Sequence, residues 1–110
     1  MKINKELMKG STVILILTLL ERKPMYGYEL TKELERESDG LFTLKEGTLY
    51  PILHLLEAEG CVEAEWSEQE GRKRKYYRIT AAGKKLLGEK KQEWRLFART
   101  VDRVLGEGNA

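Results

Sequence analysis

The chain is poor in the residues that build reactive centres and cross-links. Cys61 is its single cysteine and His54 its single histidine. No disulfide can close within one chain, and nothing in the cysteine usage points to secretion. One Cys and one His cannot assemble the usual zinc-holding sets, so no metal is expected. Long apolar runs are also missing. The longest, "VILILTLL" from Val13 to Leu20, is interrupted by Thr18 and falls well short of the roughly 20 residues a bilayer requires. It lacks a leader's cleavage pattern, so a cytoplasmic setting without a membrane is expected. Neither charge sign dominates: 20 Lys and Arg against 18 Asp and Glu leave a net +2. That bias is too mild to demand a nucleic-acid partner, and only local charge distribution can carry such an argument. Phosphate-binding loops, nucleotide-binding glycine patterns, paired histidines and nucleophile elbows are absent. Neither an enzyme nor a cofactor is expected.

What is present is periodicity. The apolar spacing predicts a first helix over residues 4–22, ended by Pro24. A second helix starts near Tyr26 or Gly27, with Leu30 and Leu34 facing inward, and stops at Ser38-Asp39-Gly40. An apolar connector, Leu41–Leu44, leads to a third helix. There Leu49, Ile52, Leu53 and Leu56 form one stripe, and Gly60 closes it. After Gly60 the period changes to two. Val62, Ala64 and Trp66 alternate with Glu63 and Glu65, and Lys75, Tyr77 and Ile79 with Arg74, Tyr76 and Arg78. Two short strands around "EQEGRK" form a hairpin, with Gly71 free to take a positive φ. Thr80 caps a last helix from Ala81 to about Leu105. The expected fold is mainly α with a small β-hairpin, a winged helix-turn-helix plus a long C-terminal helix. Residues 1–80 form the DNA-binding domain and 81–110 the dimerisation helix, as one compact unit.

The third helix contains two poor helix formers, Gly47 and Pro51, unfavourable by roughly 1 and 3 kcal/mol relative to alanine. In a recognition helix they are useful. The face opposite the leucine stripe carries Gly47, Pro51, His54 and Ala58, flanked by Thr48 and Tyr50, and this compact surface permits close approach to DNA. Pro51 is tolerable if the helix begins at Gly47 or Thr48, where N–H groups lack partners. The alternative is a packed helix start, with Thr48 a cap, Tyr50 a half-buried aromatic and His54 solvated and idle.

"PMYGYEL" at 24–30, "GTLYPIL" at 47–53, "LEAEG" at 56–60, "GRKRKYYRIT" at 71–80 and "AAG" at 81–83 together resemble the signature of the PadR family. These are bacterial winged-helix transcriptional regulators. The likeness runs from about Leu7 to the chain end and is closest to the family's short branch. It implies a homodimeric repressor on a pseudo-palindromic double-stranded operator. Carried over by position, Tyr26, Lys45, Thr48, Tyr50, Pro51 and His54 are the helix-turn-helix contacts, and Gly71, Arg72 and Lys73 the wing contacts.

The wing's charges allow two roles at once. Glu63, Glu65, Glu68 and Glu70 face a run of Arg and Lys, so cross-strand ion pairs are expected, with Arg78 paired or lying over an aromatic ring. The tip residues Arg72 and Lys73 are placed for phosphate. At least one of Tyr76 and Tyr77 belongs to the core. In the last helix Leu87, Trp94 and Val101 recur every seven residues, as do Phe97 and Val104. Together with Leu15 of the first helix they are the expected dimer interface. Trp94 is either an anchor of that interface or, as the family resemblance implies, a wall for a planar aromatic effector beside Lys90 and Ala98. A ligand-independent repressor and a protein-binding winged helix are the alternative functions.

Overall fold

The structure is a computed structural model and describes residues 3–107. The N-terminal region is two helices where the apolar pattern predicts one: α1 (Lys5–Lys9) and α2 (Thr12–Arg22). The break has a local cause. The Met8 carbonyl accepts from the Ser11 amide (2.9 Å), the Ser11 hydroxyl (2.9 Å) and the Thr12 hydroxyl (3.1 Å). Hydroxyl groups that capture a helical carbonyl compete with the i→i−4 ladder, and the adjoining Gly10 resists little. Asn4 caps α1 by accepting from the Glu6 amide at 2.8 Å.

Lys23 is extended ahead of Pro24, as proline requires of its predecessor. Met25–Tyr26 then form β1, a strand with no sequence signal of its own. α3 spans Gly27–Glu37 and buries Leu30 and Leu34. α4 spans Glu46–Ala58 and buries Leu49, Leu53 and Leu56, with Ile52 half-buried. It ends in a Schellman motif: the Cys61 amide donates to the Leu56 carbonyl (2.8 Å), the Gly60 amide to the Glu57 carbonyl (3.0 Å), and Gly60 has φ +75°. β2 (Val62–Gln69) and β3 (Arg72–Ile79) make a hairpin longer than the alternation alone suggests. Its two-residue turn has positive φ at both Glu70 and Gly71, matching a type I′ connection. β3 is the central strand, pairing with β2 (Ala64 opposite Tyr77) and with β1 (Met25 opposite Tyr77). Met25, Val62 and Tyr77 face the core, so Tyr76 and Tyr26 share the outer face.

α5 spans Ala81–Leu105. Thr80 Oγ1 accepts from the Gly83 amide (3.1 Å) and its hydroxyl donates to the Gly60 carbonyl (2.6 Å), tying this helix to the end of α4. The opening turns of α5 pack on α2 and β3. Leu87 is 1% exposed there and belongs to the chain's own core. Its assignment to a dimer interface is therefore corrected: the seven-residue spacing is continuous, but the surface beneath it changes from protomer to solvent. Beyond it Trp94, Phe97, Val101 and Val104 are 42%, 54%, 37% and 81% exposed.

Candidate nucleic-acid interface

α4 presents its side chains in two classes. The leucine stripe is core, and Lys45, Thr48, Pro51 and His54 are exposed. Lys45 is the N-cap, its carbonyl accepting from the Thr48 (3.0 Å) and Leu49 (2.9 Å) amides. The helix thus starts at Glu46, one residue earlier than the tolerance argument for Pro51 requires. Pro51 is the sixth helical residue, past the positions whose N–H groups are free anyway. The carbonyl it leaves unpaired, four residues back, is that of Gly47. Both residues are exposed, and nothing lies within 4 Å of where a Gly47 Cβ would be, so solvent can approach that carbonyl in place of the missing donor. The two poor helix formers are thus an i, i+4 pair acting on one carbonyl.

Tyr50 departs from the exposed set. Its ring is half-buried over the N-terminal residue of α3, so close that a Cβ on Gly27 would lie 2.7 Å from Tyr50 Cζ. Burial, then the Glu46 carboxylate, holds its phenol above the usual tyrosine range. The group is therefore a neutral hydroxyl donor in ordinary conditions. The His54 ring is 6.3 Å away. Tyr26 is the N-cap residue of α3 and lies on the outer sheet face. There it meets Tyr76 edge-on (5.4 Å) and the Arg74 guanidinium (4.4 Å from its ring centre). Arg74 is a contact the sequence reading missed. Alternation puts it on the Tyr76 face, but the partner ring arrives on β1.

The hairpin divides its charges by position. At its base the Arg78 guanidinium donates to Glu63 (2.7 and 3.2 Å) and approaches Glu65 (3.7 Å), which raises its already high pKa. Gly71, Arg72 and Lys73 at the tip are exposed, and neither cation has an ion-pair partner among the described residues. Trp66, on the core-facing side but beyond the core's edge, is 60% exposed. On α5, Trp94 and Phe97 stack at a tilt (5.7 Å between ring centres), Lys90 Nζ lies 3.8 Å from Glu93, and Ala98 is half-buried. Leu15 is half-buried on α2. Among the described residues no group of His, Cys, Asp and Glu is placed to hold a metal, and no helix is long and apolar enough to cross a membrane.

Comparison with known proteins gives the same answer by three routes. The transcriptional regulator PadR-like family matches residues 16–89. A transcriptional regulator of Mycobacterium tuberculosis is 35% identical over 97 residues, 88% of each chain. A solved transcriptional regulator from Clostridium thermocellum superposes with a TM-score of 0.84 at 33% identity, covering 90% of this chain and 97% of that one. A PadR family regulator from Eggerthella lenta gives 0.80 at 37% identity, covering 91% and 86%. With most of its length matched in sequence and in three dimensions, the chain belongs to the PadR-like family of transcriptional regulators, not to a family of enzymes.

Proposed function

We propose that the protein is a sequence-specific DNA-binding repressor acting as a homodimer. The observation that carries this reading is the wing tip. Arg72 and Lys73 directly follow the type I′ turn at Glu70–Gly71 and have no ion-pair partner among the described residues, while the hairpin's deeper Arg78 is held by glutamates. Cations kept free at an apex suit phosphate, and the tip is polar, unlike the apolar patch a protein-binding wing would present. Lys45, Thr48, Pro51 and His54 supply the exposed face of the recognition helix. Tyr50 acts from its half-buried seat as a hydroxyl donor, and Tyr26 sits beside the wing. The exposed stripe from Trp94 to Val104, with Leu15, pairs with its copy across a two-fold axis. Two recognition helices so related require a pseudo-palindromic site with half-sites about one helical turn apart or a small multiple of it.

The test is titration of the protein with the duplex upstream of its own coding sequence over a range of salt. Arg72→Ala and Lys73→Ala should each weaken binding to all sequences and reduce the salt slope by about 1. Unchanged slopes in both variants would refute the phosphate role.

Release of the repressor by a planar aromatic compound is the finer part of the proposal. The stacked, half-exposed Trp94 supports it, with Lys90 and Ala98 one turn either side. Flat dyes and phenolic acids should quench Trp94 fluorescence in a Trp66→Phe background. They should lower operator affinity by about 5- to 150-fold if coupling is of ordinary size. If none quenches while Trp94→Ala breaks the dimer, Trp94 is a packing anchor.

A further inference from the structure

A groove runs between α1 and the N-terminal half of α4. Its volume is about 570 Å³, within the roughly 300–1,000 Å³ of small-molecule sites. The floor is aliphatic and thioether surface from Met8, Val13, Leu44 and Ile52, with no aromatic ring to stack on. At the rim stand Lys5, Lys9 and Lys45 against one carboxylate, Glu6. None of the three ammonium groups has an acidic partner among the described residues, so three cations converge on one apolar groove with their charge uncompensated. The break at Gly10–Ser11 creates the groove. A continuous helix over 4–22 would carry Lys5 and Met8 along the α2 axis instead of opposite α4.

We infer that this groove binds an amphiphilic carboxylate, an unbranched medium-chain acyl anion, and that the occupant competes with DNA. The chain lies on the apolar floor, where an aliphatic surface without rings favours a flexible alkyl body. The carboxylate meets the lysine rim, where charge complementarity is unspent. Lys45 is also a candidate phosphate contact, and Thr48 lines the same groove. A bound anion therefore neutralises a cation the DNA would use and covers the end of α4 that must approach the duplex. The competition rests on the DNA-binding reading, and occupancy of the groove does not.

Methionine methyl resonances of the 110-residue chain provide the test. Met8 lies on the groove floor, while Met25, 1% exposed under the sheet, is an internal control. Decanoate, kept below its micelle concentration, should shift the Met8 methyl saturably and leave Met25 in place. Decanol and decyltrimethylammonium should bind at least tenfold more weakly. Lys9→Gln and Lys45→Gln should each weaken decanoate about fivefold. Decanoate and duplex DNA should displace one another. A stationary Met8 methyl, equal affinity for decanol, or indifference to both lysine variants overturns the site. So does a Met8 signal that follows protein concentration but ignores decanoate, which would mean that a second copy covers the groove. If decanoate moves Met8 yet leaves DNA affinity unchanged, the competition is wrong. A protein that binds no duplex at all sinks the DNA-binding reading while the Met8 titration stands.

Discussion

Two glycines decide local geometry that no substitution table would flag. Gly27 is required because the Tyr50 ring occupies the place of a side chain. Gly27→Ala should destabilise the fold by about 1–3 kcal/mol, as overpacking does. Because the hydroxyl makes the nearest contact, adding Tyr50→Phe should recover part of that loss in urea unfolding, and additive losses would refute the contact. Gly83 faces the Cys61 carbonyl and lies where a Cβ would be 2.7 Å from Ile79, so the helix can approach the end of α4 only without a side chain there. Cys61 itself is 6% exposed, and burial, then Glu59, pushes its thiol up. The native thiol should therefore alkylate at least about tenfold more slowly than free cysteine at mildly alkaline pH, at a rate set by opening. The folded state prefers the protonated thiol, so its contribution falls as pH rises above the ordinary thiol value toward the higher folded one. Iodoacetamide labelling followed by mass spectrometry measures the rate.

At the scale of elements, the wing is shaped by its turn. Both turn residues have positive φ, which glycine tolerates at position 71 and Glu70 adopts at a cost. Gly71→Ala should cost about 1 kcal/mol, because a Cβ in the left-handed region is strained by that amount. Arg78→Ala should cost less than about 1 kcal/mol, since its glutamate partners are exposed. Thermal unfolding of the two variants ranks them, and the opposite order would show that the ion pairs, not the turn, hold the hairpin. The same scale explains the α1–α2 break, where two hydroxyls outcompete a helical ladder that the apolar spacing would otherwise continue.

The whole molecule measures 54 × 32 × 21 Å, an elongation due to α5, whose outer half projects with its stripe uncovered. Removing residues from 86 onward would take out Leu87 and with it part of the protomer core. The informative truncation therefore begins at 92, just after Lys91, whose ammonium lies 3.9 Å from Glu21. The 1–91 chain and the double variant Phe97→Glu, Val101→Glu should stay folded, sediment as monomers and lose operator binding. The intact chain should show a melting temperature that rises with concentration, as a two-fold dimer requires. A truncated chain that remains dimeric would move the interface off the last helix.

Apart from the α1–α2 break and β1, the sequence alone determined the order of helices and hairpin, the turn at Gly71, the caps at Gly60 and Thr80 and the family. These depend on local period, capping chemistry and motif, all short-range. It also marked Tyr77 or its neighbour as core, because alternation sends adjacent residues to opposite faces. Tertiary structure decided the rest. β1 exists only because Met25 and Tyr26 find β3, a partner some fifty residues away, and two residues carry no period. The Tyr50 ring turns toward Gly27 because α3 and α4 cross there, a fact no spacing within α4 encodes. Leu87 and Trp94 are equivalent in the heptad, yet one is core and the other half-exposed, since burial depends on what lies opposite and not on where a residue falls in its own helix.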